Sequence, residues 1–197
     1  RLMRIPTIIH EQNVLPGITT KILSALGTPV AITFPESKRY LRGRRTTVTG
    51  MPVRKEFFSA RAINPESFGL SRKKRTLLVM GGSQGASFIN ALCSAAVPLL
   101  DHQQWQCIHL TGTVDFPWVV ERYRNAGFQA FVQPFSHEMH LLFSLADLAI
   151  SRAGAGTIAE LSVCNLPAVL IPFQYAGGHQ TANAKAACER GPFVLLA

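Results

Sequence analysis

Short apolar runs alternate with amphipathic stretches along the whole chain. The clearest run, residues 76–80, has no polar residue after its threonine, which fits a strand buried on both faces. Before it, the pattern predicts a strand at 6–9, a helix at 17–26, a strand at 30–34 and a short strand at 46–49. A linker over 54–71 follows, marked by Asn64-Pro65 and Gly69. After it the alternation is regular. Strands are predicted at 76–80, 106–110, 130–133, 148–150, 168–171 and 193–196, and helices at 88–100, 115–126, 137–145, 157–163 and 181–190. Six strands separated by helices imply right-handed βαβ units and an α/β fold built on a doubly wound, parallel, Rossmann-like sheet.

Composition narrows the partners. At 47% hydrophobic, 197 residues can bury a genuine core. The formal charge of +9 points to an anionic partner. The basic residues cluster at Lys38, Arg39, Arg42, Arg44 and Arg45, and again at Arg72, Lys73, Lys74 and Arg75. Each cluster reads either as a solvated loop or as a contact for an anionic phospholipid surface. Nucleic acid is disfavoured: zinc-finger spacing, an RNP-like aromatic motif and a long basic helix are all missing. Cys93, Cys107, Cys164 and Cys188 form no CxxC and have no metal-ligand spacing, so they read as free thiols of a reducing compartment. No apolar stretch approaches the ~20 residues that span a bilayer. The chain reads as cut from a longer protein. It opens on Arg1-Leu2-Met3-Arg4 and stops at a strand that a further helix would ordinarily cover.

Ligands of doubly wound sheets bind at the carboxyl ends of the strands, so the loops leaving the strands carry the chemistry. Met80-Gly81-Gly82-Ser83-Gln84-Gly85-Ala86 links a strand to a helix. Its glycines allow close backbone approach, and the helix start suits a phosphate. It is neither a Walker loop nor G-x-G-x-x-G, and a purely structural turn remains open. Ser151 to Glu160 forms a second loop, with Gly154, Gly156 and Thr157 at a helix start. Glu160, one turn in, suits a pair of vicinal hydroxyls or simply complements the helix dipole. A third loop ends in His179-Gln180-Thr181-Ala182-Asn183, whose amides suit sugar hydroxyls. Earlier lie His10-Glu11-Gln12-Asn13, delivered by the first strand to a turn, and Gly50-Met51-Pro52-Val53-Arg54. The Arg54 guanidinium can fork onto a diphosphate.

Taken in order, five motifs resemble the MurG family of two-domain GT-B glycosyltransferases: His10-Glu11-Gln12-Asn13, Gly50-Met51-Pro52-Val53-Arg54, Gly81-Gly82-Ser83-Gln84-Gly85-Ala86, Arg152-Ala153-Gly154-Ala155-Gly156-Thr157 and Gln180-Thr181-Ala182-Asn183-Ala184. The resemblance covers the whole chain. It implies that residues 1–54 end an acceptor-side, N-terminal Rossmann-like domain. Residues 55–197 would then be most of a C-terminal UDP-sugar domain. Ser83 with Gln84 beside it, and Arg54, would hold the diphosphate, with Gly154, Gly156 and Thr157 also in the substrate site. Glu160 would take the ribose hydroxyls, the backbone at Ser136 the uracil, and Gln180 the N-acetylglucosamine ring. Asn13 would approach the donor sugar from the other domain. Two positions depart from the family pattern. Met51 stands where Asn is usual, and Gly177-Gly178 where Asp or Asn often precedes the His-Gln or Gln-Gln pair. The family's N-terminal glycine-rich loops and its terminal helix are not in this sequence.

The implied reaction is an inverting transfer of N-acetylglucosamine from UDP-N-acetylglucosamine to undecaprenyl-pyrophosphoryl-N-acetylmuramoyl-pentapeptide. It would take place peripherally, on the cytoplasmic face of the bacterial inner membrane, during peptidoglycan synthesis. No cofactor is expected. The aspartates are Asp101, Asp115 and Asp147, with no Asp-x-Asp, so the diphosphate is expected to be stabilised by protein groups rather than by a metal. His10 and Glu11 are the candidates here for the base, but neither is assigned, because the base is expected in the missing N-terminal part. The chain alone is expected to bind donor weakly and to turn over little. Two alternatives stay open: a GT-B transferase with another lipid acceptor such as diacylglycerol, and a non-catalytic nucleotide-sugar module.

Overall fold

The computed structural model describes residues 5–41, 45–59, 63–82, 85–96, 99–173 and 177–196. Among them two all-parallel sheets are formed. The first orders β1 (Ile9–Glu11), β2 (Val30–Ile32) and β3 (Thr46–Val48) side by side, with helix α1 (Ile18–Ala25) crossing from β1 to β2. The second comprises β4 (Arg75–Met80), β5 (Trp105–Leu110), β6 (Ala130–Gln133), β7 (Leu148–Ser151), β8 (Ala168–Leu170) and β9 (Phe193–Leu195), in spatial order β6-β5-β4-β7-β8-β9. Helices α2 (Ser87–Ala96), α3 (Phe116–Asn125), α4 (Met139–Leu145), α5 (Ala155–Val163) and α6 (His179–Cys188) make the crossovers.

The six-stranded sheet follows from its central strand. Thr76, Leu77, Leu78, Val79 and Met80 of β4 are all buried. Alternate side chains point to opposite faces. Leu78 and Met80 join one core with Leu142, Phe143, Ile158, Leu161 and Ala184, beneath α4, α5 and α6. Leu77 and Val79 join the other with Ile89, Cys93, Val119 and Tyr123, beneath α2 and α3. Each side chain of this size stabilises the fold by roughly 1.5–3 kcal/mol when fully buried. Local signals stop the helices. After α5, Asn165 takes a left-handed conformation (φ 49°), and Leu166 N–H reaches back to Leu161 C=O while Asn165 N–H reaches Ser162 C=O. That is a Schellman closure, sealed by the Leu161–Leu166 apolar contact.

Several expected boundaries move by two or more residues; for example, the helices expected at 88–100, 157–163 and 181–190 run Ser87–Ala96, Ala155–Val163 and His179–Cys188, and the strand expected at 30–34 ends at Ile32. The first strand begins at Ile9, not at residue 6, because its partner β2 offers Val30 opposite Ile9 and nothing earlier. Ile5 and Ile8 are exposed, and His10 and Glu11 lie inside the strand rather than at a turn beyond it. The linker over 54–71 is also more ordered than its composition suggests. It contains 3-10 turns at Lys55–Phe58 and Pro65–Phe68, and buried Phe57 meets Phe143 edge-on with centroids 5.3 Å apart. The cysteines are free, Cys93 and Cys107 buried, as their apolar settings suggest.

Candidate functional site

The chain leaves β4 toward β5 and β6, then returns to lay β7 on the other side of β4. At such a switch point the loops part and leave a crevice at the carboxyl ends of the strands. Here the crevice is a cavity of about 250 Å³. Five groups on its wall matter most: Gly82 after β4, Ser136 after β6, Thr157 and Glu160 on α5, and Arg54 from the segment joining the two sheets.

The loop after β4 is shaped by its glycines. A Cβ on Gly81 would lie 2.3 Å from Ala86 N. Gly85 has φ +77°, and a Cβ there would lie 2.1 Å from the Thr111 carbonyl oxygen. The loop therefore packs directly on the backbone after β5. Ser83 and Gln84, both expected substrate contacts, lie outside the described residues.

A polar network with a buried centre at Asn90, His109 and Tyr123 stands behind that contact, and no sequence motif pointed to it. Asn90 of α2 donates from Nδ2 to Thr111 C=O and to Asp115 Oδ2, each at 2.8 Å. Both bonds turn its Oδ1 to His109, 2.9 Å from Nε2, so Nε2 carries the proton. The unprotonated Nδ1 then accepts from Tyr123 O–H at 2.9 Å, and the Cys107 thiol, 3.2 Å from the same oxygen, donates to it. Trp118 and Ser87 donate to Asp115 and hold its carboxyl below the usual range. A histidine in the middle of an apolar strand was the available signal. Burial pushes the His109 imidazole from 6.5 down to about 3.

This has a consequence for stability. The folded chain keeps His109 neutral while the unfolded chain binds a proton below about 6.5. The network's contribution is therefore whole above that pH and is lost as pH falls toward 3. Well below 6.5 the loss is about 1.4 kcal/mol per pH unit. Urea unfolding at pH 7 and pH 5 is expected to show it. His109→Gln should be less stable at pH 7 and should lose most of the slope. An unchanged slope in the variant would assign the acid sensitivity to other groups.

The second loop places Gly154 at the N-cap of α5, where the first N–H groups of the helix face outward without helical partners. Gly156 faces Met51, whose Cε would sit 3.9 Å from an added Cβ. On α5, Glu160 pairs with Arg54: Nη2 to Oε1 is 3.2 Å, with the Arg54 side chain 53% and the Glu160 side chain 23% exposed. Arg54 also stacks over the Phe57 ring at 5.0 Å. Nearby, Arg152 donates from Nη1 to the Ile171 and Pro172 carbonyls, each at 3.2 Å, and covers Phe173. It thereby holds the ends of β7 and β8 together; its place in a motif gave no hint of that.

Asn13 and Gln180 do not line the cavity; both gather at the start of α6. Asn183 is fully buried, accepts from Val14 N–H at 2.9 Å, and donates to Asn13 Oδ1 at 3.0 Å and Ala153 C=O at 3.4 Å. The His179 Nδ1 proton goes to Leu15 C=O at 2.9 Å. Gln180 Oε1 accepts from Phe173 N–H at 2.9 Å. Residues 13–15 from the small sheet thus lie across the first turn of α6.

The base candidates are both engaged. Glu11, 5% exposed, accepts from Asn13 N–H and Gly17 N–H. His10 Nε2 meets Gly50 C=O at 3.0 Å. Both brace loops. Among the described residues no group of three His, Cys, Asp or Glu is placed to hold a metal ion.

Comparison with known proteins gives a consistent picture. The model of the glycosyltransferase family 28 C-terminal domain matches residues 76–192. A protein of Thermodesulfovibrio yellowstonii named UDP-N-acetylglucosamine--N-acetylmuramyl-(pentapeptide) pyrophosphoryl-undecaprenol N-acetylglucosamine transferase is 40% identical, over 99% of this chain and 54% of its own length. A protein of the same name from Synechococcus sp. (strain RCC307) is 42% identical, over 100% of this chain and 53% of its own. The chain thus spans about half the length of the curated relatives it matches. The crystal structure of Acinetobacter baumannii MurG superposes with a TM-score of 0.77 at 30% identity, over 100% of this chain and 55% of that one. The glycotransferase of kitacinnamycin shares the fold at a TM-score of 0.61 and 19% identity, over 85% of this chain and 42% of that one.

Proposed function

The chain belongs to glycosyltransferase family 28, and from that premise we propose that it supplies the donor half of an inverting transfer from UDP-N-acetylglucosamine. The acceptor in this proposal is undecaprenyl-pyrophosphoryl-N-acetylmuramoyl-pentapeptide, the reaction named for the relatives. The observation that carries it is the convergence of Arg54, Ser136, Thr157 and Glu160 on one cavity at the β4–β7 switch point. Residues 1–54 would form the end of an acceptor-side domain and residues 55–197 the donor domain.

The roles are those the family resemblance implies, and the chemistry of each group suits its part. As the acceptor hydroxyl attacks the anomeric carbon, UDP leaves and negative charge grows on its diphosphate. Arg54, the helix start at Gly154, Gly156 and Thr157, and the glycine-rich loop with Ser83 and Gln84 stabilise that charge, often the largest catalytic term. Glu160 accepts from the ribose hydroxyls and the backbone at Ser136 meets the uracil. Gln180 and Asn13, brought together at α6, would reach the sugar. The polyprenyl acceptor places the reaction at a membrane surface, on the cytoplasmic side in this proposal. Lys38, Arg39 and Arg45 suit anionic headgroups there. Among the described residues no helix is long and apolar enough to cross a membrane. Retention of the protein on anionic vesicles at low salt tests that last step.

Calorimetric titration tests the donor site directly. UDP and UDP-N-acetylglucosamine are expected to bind in preference to ADP. Glu160→Ala is expected to weaken the uridine ligands roughly tenfold, as loss of a charged hydrogen-bond acceptor does. A folded chain that binds ADP as well as UDP would defeat the assignment.

A further inference from the structure

The Arg54–Glu160 pair joins two residues that the proposed function gives to different parts of one ligand. Arg54 is the diphosphate cation and Glu160 the ribose acceptor, yet they lie 106 residues apart in sequence and bond to each other at 3.2 Å. While Arg54 Nη2 holds Glu160 Oε1, each group's charge is already partly engaged and the donor must compete for it. We infer that this ion pair makes the cleft selective for a nucleoside diphosphate over a bare diphosphate, an inference that rests on the donor reading above.

A diphosphate that takes Arg54 strips Glu160 of its cation and leaves a carboxylate beside a new anion. A like charge at that distance is unfavourable, the more so for a side chain only 23% exposed. A bare diphosphate offers Glu160 nothing in return. A ribonucleoside diphosphate brings two vicinal hydroxyls, both donors, which replace the guanidinium on the carboxylate. Glu160 therefore opposes anions lacking the sugar and accepts those that carry it. The discrimination matters in this cleft because the proposed acceptor has a diphosphate of its own, between lipid and sugar, and no ribose. The pair keeps Arg54 occupied against it. The aromatic face of Phe57, 5.0 Å from the guanidinium, holds Arg54 within reach of both partners.

The test uses inorganic pyrophosphate, UDP and ADP as probes, titrated into the wild-type chain, Glu160→Gln, Arg54→Gln and the double variant. Glu160→Gln keeps the size and an acceptor oxygen but removes the charge. It is expected to bind pyrophosphate roughly twofold to fivefold more tightly, the scale of a partly exposed ion pair. The same variant is expected to bind UDP more weakly than wild type. That opposite response is one a general loss of structure would not produce. In the Arg54→Gln background the gain in pyrophosphate affinity is expected to vanish, since no cation remains to be released. Unchanged, weaker or undetectable pyrophosphate binding by Glu160→Gln overturns the inference. So does a gain that persists without Arg54, which would be bulk electrostatics. A wild-type chain that prefers UDP no more than ADP sinks the uridine reading of the donor, whereas in the wild-type titrations the inference falls only when either nucleotide is bound no better than pyrophosphate.

Discussion

Gly85→Ala is expected to abolish donor binding and to lower stability by about 2–4 kcal/mol, the range of a residue forced against fixed backbone at a special conformation. The added Cβ would lie 2.1 Å from Thr111 O, 2.8 Å from Thr111 C and 3.0 Å from Gly112 Cα, all main-chain atoms. That backbone has no room to retreat. Thr111 C=O accepts from Asn90, Thr111 N–H donates to Gln133 C=O, and Gly112 N–H donates to Pro134 C=O. Any shift is therefore passed to the segment before Ser136, on the opposite wall of the cavity. Gly82→Ala separates strain from collision. Its φ is +99°, but nothing lies within 4 Å of the added atom. It should cost about 1–2 kcal/mol, the left-handed penalty alone. Denaturant unfolding with UDP calorimetry on both variants reads the difference. Equal losses would mean that the loop after β5 yields, contrary to the rigidity argued for the Asn90–His109 network.

Asn183→Leu is expected to cost a further 2–4 kcal/mol or so, from a different cause: orphaned polar groups. Leucine fills a similar volume but leaves the buried Val14 N–H and the Asn13 carboxamide without their partner. Asn183→Asp should fare little better. It keeps an acceptor for Val14 but turns an oxygen toward Asn13 Oδ1 and Ala153 C=O. This contact is a main tie between the small sheet and α6, joined by the Arg190–Glu36 ion pair just past the end of the helix. Urea unfolding of the three proteins measures it, and a loss under 1 kcal/mol in both variants would mean that solvent replaces the contact.

The order of elements was legible because periodicity is a local property. The continuous run of β4 and the six βα alternations each declare themselves within a few residues. The glycines at 81 and 85 were legible as a loop demanding close approach, although the atom approached, Thr111 O, was not. What stayed hidden depends on distant pairing. Ile9 starts the first strand because Val30 lies opposite it, not because of anything at residues 6–8. Arg54 and Glu160 each read as a ligand for substrate, and nothing in the sequence says that they bind each other. Asn13 and Gln180 read as one sugar-facing set with the cavity residues. The fold places them at α6, where their recorded bonds go to Asn183 and Phe173. His109 stood out only as a polar residue in an apolar strand; its role depends on partners contributed by α2 and α3.

The parallel sheet also governs the order in which the protein can assemble. Thr76 at the start of β4 and Asp147 before β7 clasp each other through Thr76 N–H to Asp147 Oδ2 at 2.7 Å and Asp147 N–H to Thr76 C=O at 2.9 Å, although 71 residues separate them. No hairpin can bring such partners together; the residues of β5 and β6 must be made before β7 can pair with β4. A polypeptide emerging from the ribosome therefore exposes the apolar edge of its central strand for as long as those residues take to be made. The crevice at the switch point cannot form until β7 has paired with β4. Slow, long-range closure is the kinetic cost of placing a binding site where the winding of a sheet reverses.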